Sequence, residues 1–138
     1  MIKIPEDLSK YKSILCLNGD LICDLIGDIN LPIVAADGAA NTLIQNGIEP
    51  DIIIGDLDSV DDNTLLCRTH LKIDSQVHTD FEKALNFIEE KSISPAIVMG
   101  VDGGYIDHVL GNISIFSRTN FIAISKDIIF MTIDDYKI

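Results

Sequence analysis

Ile52-Ile53-Ile54 is an unbroken run of β-branched residues that halts at Gly55 and then presents two carboxylates, Asp56 and Asp58, two positions apart. A short apolar run bounded by turn residues reads as a buried strand over 51–54, with a loop over 55–59. A strand that is apolar on both faces needs cover on both sides, as in the parallel sheets of α/β proteins. Ligands of such sheets bind at the carboxyl ends of the strands. Oxygen donors placed there suit Mg²⁺, which takes one or two carboxylates plus substrate phosphates. Gly, Asp and Ser also build ordinary turns, so this loop taken alone fits either a metal site or a plain turn.

The rest of the chain repeats the same alternation. Strand-like runs are read at 13–17, 33–36, 52–54, 71–77, 96–99, 121–125 and 128–131. Between them lie helical patterns at 39–45, closed by Asn46-Gly47 as a left-handed cap, and at 61–69. Phe81, Ala84, Leu85 and Ile88 recur at i, i+3, i+4 and i+7 and predict a helix over 80–90. Leu110, Ile113 and Phe116 mark another over 107–118. Strands alternating with helices imply βαβ units, a mainly parallel sheet and one α/β domain. A length of 138 residues suffices for one such domain with its own core.

Charge narrows the partners. Asp and Glu number 22 against 10 Lys and Arg, a formal net charge of -12. Nucleic acid and anionic membrane both call for a basic surface and are set aside. A phosphorylated ligand stays open if a divalent cation supplies the positive charge. Cys16, Cys23 and Cys67 are odd in number and lack CxxC spacing, as expected of thiols in a reducing compartment. The first residues include Pro5, Glu6 and Asp7, unlike a signal peptide, and no apolar run approaches membrane-spanning length. A cytoplasmic soluble protein is the expectation.

The turns that close the strands are more telling. Asp37-Gly38 closes the second, Gly55-Asp56-Leu57-Asp58 the third, Thr79-Asp80 the fourth, and Gly100 through Asp107-His108 the fifth. In a parallel sheet these loops share one edge, which therefore collects Asp37, Asp56, Asp58, Asp80 and Asp107. Such a cluster is self-repelling and partly protonated unless a cation neutralises it. One or two Mg²⁺ ions would do so and would hold a polyphosphate.

Each piece also has a structural reading. Thr79 and Glu82 fit a capping box, and Asp80 in the first helical turn suits the helix dipole. Gly100-Val101-Asp102-Gly103-Gly104 could admit a phosphate or an adenine ring, or simply turn the chain; it is neither a Walker A loop nor G-x-G-x-x-G. His108 and Asn112 share a helix face and are compatible with packing or with ligand contact. Lys83 could reach a phosphate or be a solvated lysine paired with nearby acids. No partner is evident for His70 or His78.

Taken together, four motifs resemble the thiamine pyrophosphokinase family: Ala35-Ala36-Asp37-Gly38-Ala39-Ala40-Asn41; Pro50-Asp51 through Gly55-Asp56-Leu57-Asp58-Ser59; Thr79-Asp80-Phe81-Glu82-Lys83-Ala84-Leu85; and Gly103-Gly104 with Asp107-His108 and Asn112. The resemblance runs over residues 15–125. It implies a Rossmann-like three-layer α/β/α domain with a mainly parallel sheet. It also implies Mg²⁺-dependent transfer of an intact diphosphate from ATP to the hydroxyl of thiamine, giving thiamine diphosphate and AMP. By resemblance Asp56, Asp58 and Asp80 are the Mg²⁺ ligands. Gln76, Thr79 and Lys83 contact the nucleotide, and Gly103, Gly104, Asp107, His108 and Asn112 support its loop. Asp37 has a positioning or base role toward the acceptor alcohol. Relatives in the family act as homodimers and carry a second, C-terminal β-sandwich domain for thiamine, expected to be absent from residues 1–138. The chain departs from the family at Tyr105, where Arg is common, and at Val77, where Asp is frequent.

Two other readings compete. A haloacid-dehalogenase-type phosphatase would use Asp56 as nucleophile, although its D-x-D motif normally ends the first strand. A non-catalytic Mg-nucleotide-binding module, incomplete without a second domain, would bind ATP without turnover.

Overall fold

The computed structural model describes residues 8–66, 68–75, 77–103, 121–125 and 129–131. The described elements are β1 (Ser13–Cys16), α1 (Cys23–Asp28), β2 (Ile33–Ala36), α2 (Ala39–Gln45), β3 (Ile52–Gly55), α3 (Asp62–Leu65), β4 (His70–Lys72), α4 (Asp80–Glu90), β5 (Ala96–Met99), β6 (Phe121–Ile124) and β7 (Ile129–Met131). The strands form one sheet in the order β4-β3-β2-β1-β5-β6-β7. All neighbouring pairs are parallel except β6 with β7, which is antiparallel.

Strand periodicity divides the core into two layers. Ile14, Cys16, Ile33, Ala35, Ile53, Ile97 and Met99 pack on one face with Ile26 of α1 and Ala39, Ala40 and Leu43 of α2. Leu15, Val34, Ala36, Ile54, Ala96 and Val98 pack on the other with Phe81, Ala84, Leu85 and Ile88 of α4. Successive side chains of a strand point to opposite faces, so each central strand contributes to both layers. This is why the strands read as continuous apolar runs, and it makes the expected three-layer α/β domain.

Pro50-Asp51 has a purely structural job at the amino edge. The Asp51 carboxylate accepts the Ile33 N–H at 2.7 Å, and the Asp51 N–H donates to the Ile33 carbonyl at 2.8 Å. This reciprocal pair starts β2 and β3 in register.

Several boundaries differ from the sequence expectation. The helix expected over 61–69 is the single turn Asp62–Leu65, because no apolar periodicity extends it and Leu66 is exposed. The strand expected over 71–77 is only His70–Lys72. It pairs with β3 alone at the sheet edge, and its residues are all exposed, so little burial extends it. Helix α1 has no counterpart among the expected elements, although Ile22, Leu25, Ile26 and Ile29 carry helical spacing and pack on the core. The helix expected over 107–118 lies outside the described residues.

Candidate active site

The carboxyl edge is assembled from strand ends held in unusual backbone conformations. Chain direction reverses immediately after β2, where Asp37 has φ +48 and its N–H donates to the Ile54 carbonyl at 2.8 Å. β3 ends at Gly55, φ +141, and Leu57 comes next but one at φ +67. A bulky residue in the left-handed region costs roughly 1–2 kcal/mol, so the surroundings must hold this loop. Asn41 of α2 does part of that. Its side-chain amide donates to the Ser59 carbonyl at 2.8 Å and its Oδ1 accepts the Asp61 N–H at 3.3 Å.

The result brings Asp37, Asp56 and Asp58 together, with a carboxylate oxygen from each lying within 4.8 Å of the others. The Ser59 N–H donates to Asp37 Oδ1 at 3.3 Å, the Asp58 N–H to Asp56 Oδ1 at 3.3 Å, and Ser59 Oγ to Asp58 Oδ1 at 3.2 Å. Asp37 is only 4% exposed. Burial, then its hydrogen bond to Asp58, then the charge of Asp80 push its carboxyl up to about 6, against the donated Ser59 N–H. Asp58 is held below the usual carboxylate range by hydrogen bonding with Asp56, then Asp37, then Ser59. The pair thus divides its acidity, buried Asp37 being the weaker acid and exposed Asp58 the stronger.

Asp80 opens α4 beside this group. A Cβ built on Gly55 would lie 3.3 Å from the Asp37 Cβ and 3.4 Å from Asp80 Oδ1, so Gly55 is the spacer between the two acids. The close group of three contains Asp37 where the family resemblance assigns Asp80 as the third metal ligand. Lys83 is buried rather than solvated, with Nζ 3.8 Å from Asp80 Oδ1.

Thr79 completes its capping box. Its Oγ1 accepts the Glu82 N–H at 3.2 Å, and its own N–H donates to the Glu82 carboxylate at 3.5 Å. His78 Nδ1 lies 3.4 Å from the same carboxylate, and His70 Nδ1 contacts the Arg68 carbonyl at 2.9 Å. Val77, one of the departures from the family pattern, is 85% exposed. Gln76, Gly104, Tyr105, Asp107, His108 and Asn112 lie outside the described residues.

Sequence reasoning missed the first loop of this edge. Strand order turns between β1 and β5, with β2 on one side and β5 on the other. Here the Asp20 N–H donates to the Asp102 carbonyl at 2.8 Å, and Gly103, φ +85, packs against the Asp20 carboxylate. Asp102 Oδ1 is buried with no hydrogen-bond partner among the described residues. Asn18 lies against Gly38. The signal was available, because Asn18-Gly19-Asp20 comes directly after the first strand just as the other acidic turns come after theirs.

The donor set is all oxygen and fits a hard divalent cation. Mg²⁺ binds at about 2.0–2.1 Å in an octahedron, so its ligand oxygens stand roughly 2.9–4.2 Å apart. The three carboxylates need only a small contraction from their 4.8 Å spread to meet that requirement. A mainly parallel sheet with acidic side chains converging past its carboxyl edge defines an α/β domain with a candidate cation site at the edge where such sheets bind ligands.

Comparison with known proteins gives the family. Residues 29–126 match the model of the thiamin pyrophosphokinase catalytic domain, and the chain belongs to that family. Thiamine pyrophosphokinase 1 of Oryza sativa subsp. japonica is 28% identical over 88% of this chain and 58% of its own length. The solved thiamine pyrophosphokinase of Bacillus subtilis superposes with a TM-score of 0.68 at 26% identity, over 84% of this chain and 61% of its own. Yeast thiamin pyrophosphokinase gives 0.70 at 20% identity, over 86% and 60%, a likeness of fold. The chain spans about three-fifths of the length of these relatives.

Proposed function

We propose that this chain is the nucleotide-binding catalytic part of a thiamine diphosphokinase, transferring diphosphate from ATP to thiamine. The observation that carries the reading is the convergence of Asp37, Asp56 and Asp58 at the carboxyl edge of a sheet whose family is that of the thiamin pyrophosphokinase catalytic domain. Asp56 and Asp58, with Asp80 beside them, would hold Mg²⁺. When bound, the ion supplies charge neutralisation for the phosphates.

The thiamine hydroxyl oxygen bonds to the β-phosphorus of ATP while the bond from that phosphorus to the oxygen bridging the α-phosphate breaks. AMP leaves on that oxygen. The hydroxyl proton passes to Asp37. Thr79, Gln76 and Lys83 are assigned to the nucleotide side, with Gly103, Gly104, Asp107, His108 and Asn112 supporting it. A C-terminal β-sandwich beyond these residues would bind thiamine, and the working form would be a cytoplasmic homodimer. No helix among the described residues is long and apolar enough to cross a membrane.

Incubation with Mg-ATP and thiamine, then mass spectrometry, tests the proposal. Equal amounts of AMP and thiamine diphosphate support it. Mg-dependent ATP binding without product favours a non-catalytic nucleotide-binding module. Absence of both binding and product overturns both readings. A phosphoenzyme on Asp56 would instead mark a haloacid-dehalogenase-type phosphatase. That reading is disfavoured by the position of the D-x-D after β3, the third strand of the chain.

A further inference from the structure

We infer that Lys83 is the resident counter-ion of the acidic cluster, acting through Asp80 to set how strongly the cluster attracts a divalent cation. The inference rests on reading the cluster as a metal site.

A lysine ammonium is strongly hydrated, and burying it is costly unless it is paired. Yet Lys83 sits on α4 next to the apolar face formed by Phe81, Ala84, Leu85 and Ile88, with its side chain only 4% exposed. Among the described residues its one charged neighbour within ion-pair distance is Asp80, at 3.8 Å, one helical turn earlier. The partner is 41% exposed. Asp80 in turn shares the space around Gly55 with Asp37.

This arrangement solves a problem posed by the sequence. With Asp37, Asp56, Asp58 and Asp80 at one edge, the metal-free domain must carry their mutual repulsion. A fixed positive charge behind Asp80 offsets part of it, and the same charge opposes an incoming cation. Removing it should therefore strengthen metal binding, whereas loss of a phosphate contact would leave metal binding alone and weaken nucleotide binding.

The test is calorimetric titration of Mn²⁺ alone, then of Mg-ATP, into the parent chain, Lys83→Met and Lys83→Arg. Methionine keeps the unbranched stem and removes the charge, and arginine keeps the charge. Lys83→Met should bind Mn²⁺ about three- to tenfold more tightly, as expected when one positive charge within several ångströms is removed in a partly solvated site. Lys83→Arg should stay near the parent. Unchanged or weaker Mn²⁺ binding by Lys83→Met, with the parent binding normally, overturns the counter-ion role alone. A parent chain that binds no Mn²⁺ overturns the metal-site reading and this inference together. Should Lys83→Met fail to fold, Mn²⁺ binding by Lys83→Gln decides by the same criteria.

Discussion

Asp37 and Asp58 converge across the ends of β2 and β3, with carboxylate oxygens within 4.8 Å of each other, one residue buried and one exposed. Acidity in so close a pair is a property of both groups, and burial makes Asp37 the weaker acid of the two.

Stability should therefore depend on pH in a defined direction. The Asp37 carboxyl rises from an ordinary 3.8 to about 6 in the folded chain. The folded state then holds more protons than the unfolded state between those values. The contribution of Asp37 to stability improves as pH falls from above 6 to below 4, and it is unfavourable at neutrality. Asp37→Asn should be more stable than the parent at pH 7.5, by at most about 3 kcal/mol, and should lose that advantage near pH 4. Urea unfolding of both metal-free proteins across this range measures it. A difference that does not vary with pH would show that Asp37 ionises normally.

Asp56 and Asp58 carry the metal assignment. Replacing either with Asn keeps the volume and removes a charged oxygen donor. Mg-ATP affinity should fall by at least about tenfold, the scale on which even residues supporting a metal ligand act. The fold should persist or gain stability, because repulsion in the cluster falls. Calorimetric titration combined with thermal unfolding reads both effects, and undiminished Mg-ATP binding in the two variants would remove these residues from the metal site.

Much of this was legible in advance because the physics is local. Ala39–Gln45, Asp80–Glu90 and Ala96–Met99 have the bounds that periodicity and turn residues assign them. The Thr79-x-x-Glu82 box closes as its spacing dictates. The acidic edge was legible too, since parallel pairing carries every post-strand loop to the same side. What escaped was set by tertiary context. Burial of Lys83 depends on what covers α4, and a charged residue in a helical pattern gives no sign of it. The closeness of Asp37 to Asp58 depends on Leu57 accepting φ +67, a conformation no propensity favours. The stopping point of β4 depends on there being a single neighbour to pair with.

Gly55 separates a structural from a functional glycine. Its φ of +141 is disfavoured for any side chain, and a Cβ there would crowd both Asp37 and Asp80. Gly55→Ala should cost about 1–3 kcal/mol from backbone strain and also weaken Mn²⁺ binding by displacing the carboxylates. Gly47, φ +76, caps α2 with nothing near its Cβ position. Gly47→Ala should cost about 1 kcal/mol and leave Mn²⁺ binding unchanged. Equal metal affinity in the two variants would mean that the spacing across Gly55 is unimportant to the site.

Thr79 is the residue for which a structural and a functional role meet. The capping box alone predicts that Thr79→Ala destabilises the chain by about 1 kcal/mol, because Thr79 Oγ1 satisfies an otherwise orphaned N–H at the start of α4. Thr79→Ser keeps the hydroxyl and should restore stability. The same helix start carries Asp80 and would receive the nucleotide, so fraying it should also weaken Mg-ATP binding several-fold in Thr79→Ala and not in Thr79→Ser. Denaturant unfolding and calorimetry on the two variants distinguish the roles. Lost stability with intact Mg-ATP affinity would confine Thr79 to capping, and lost affinity with intact stability would make it a direct nucleotide contact with no net value as a cap.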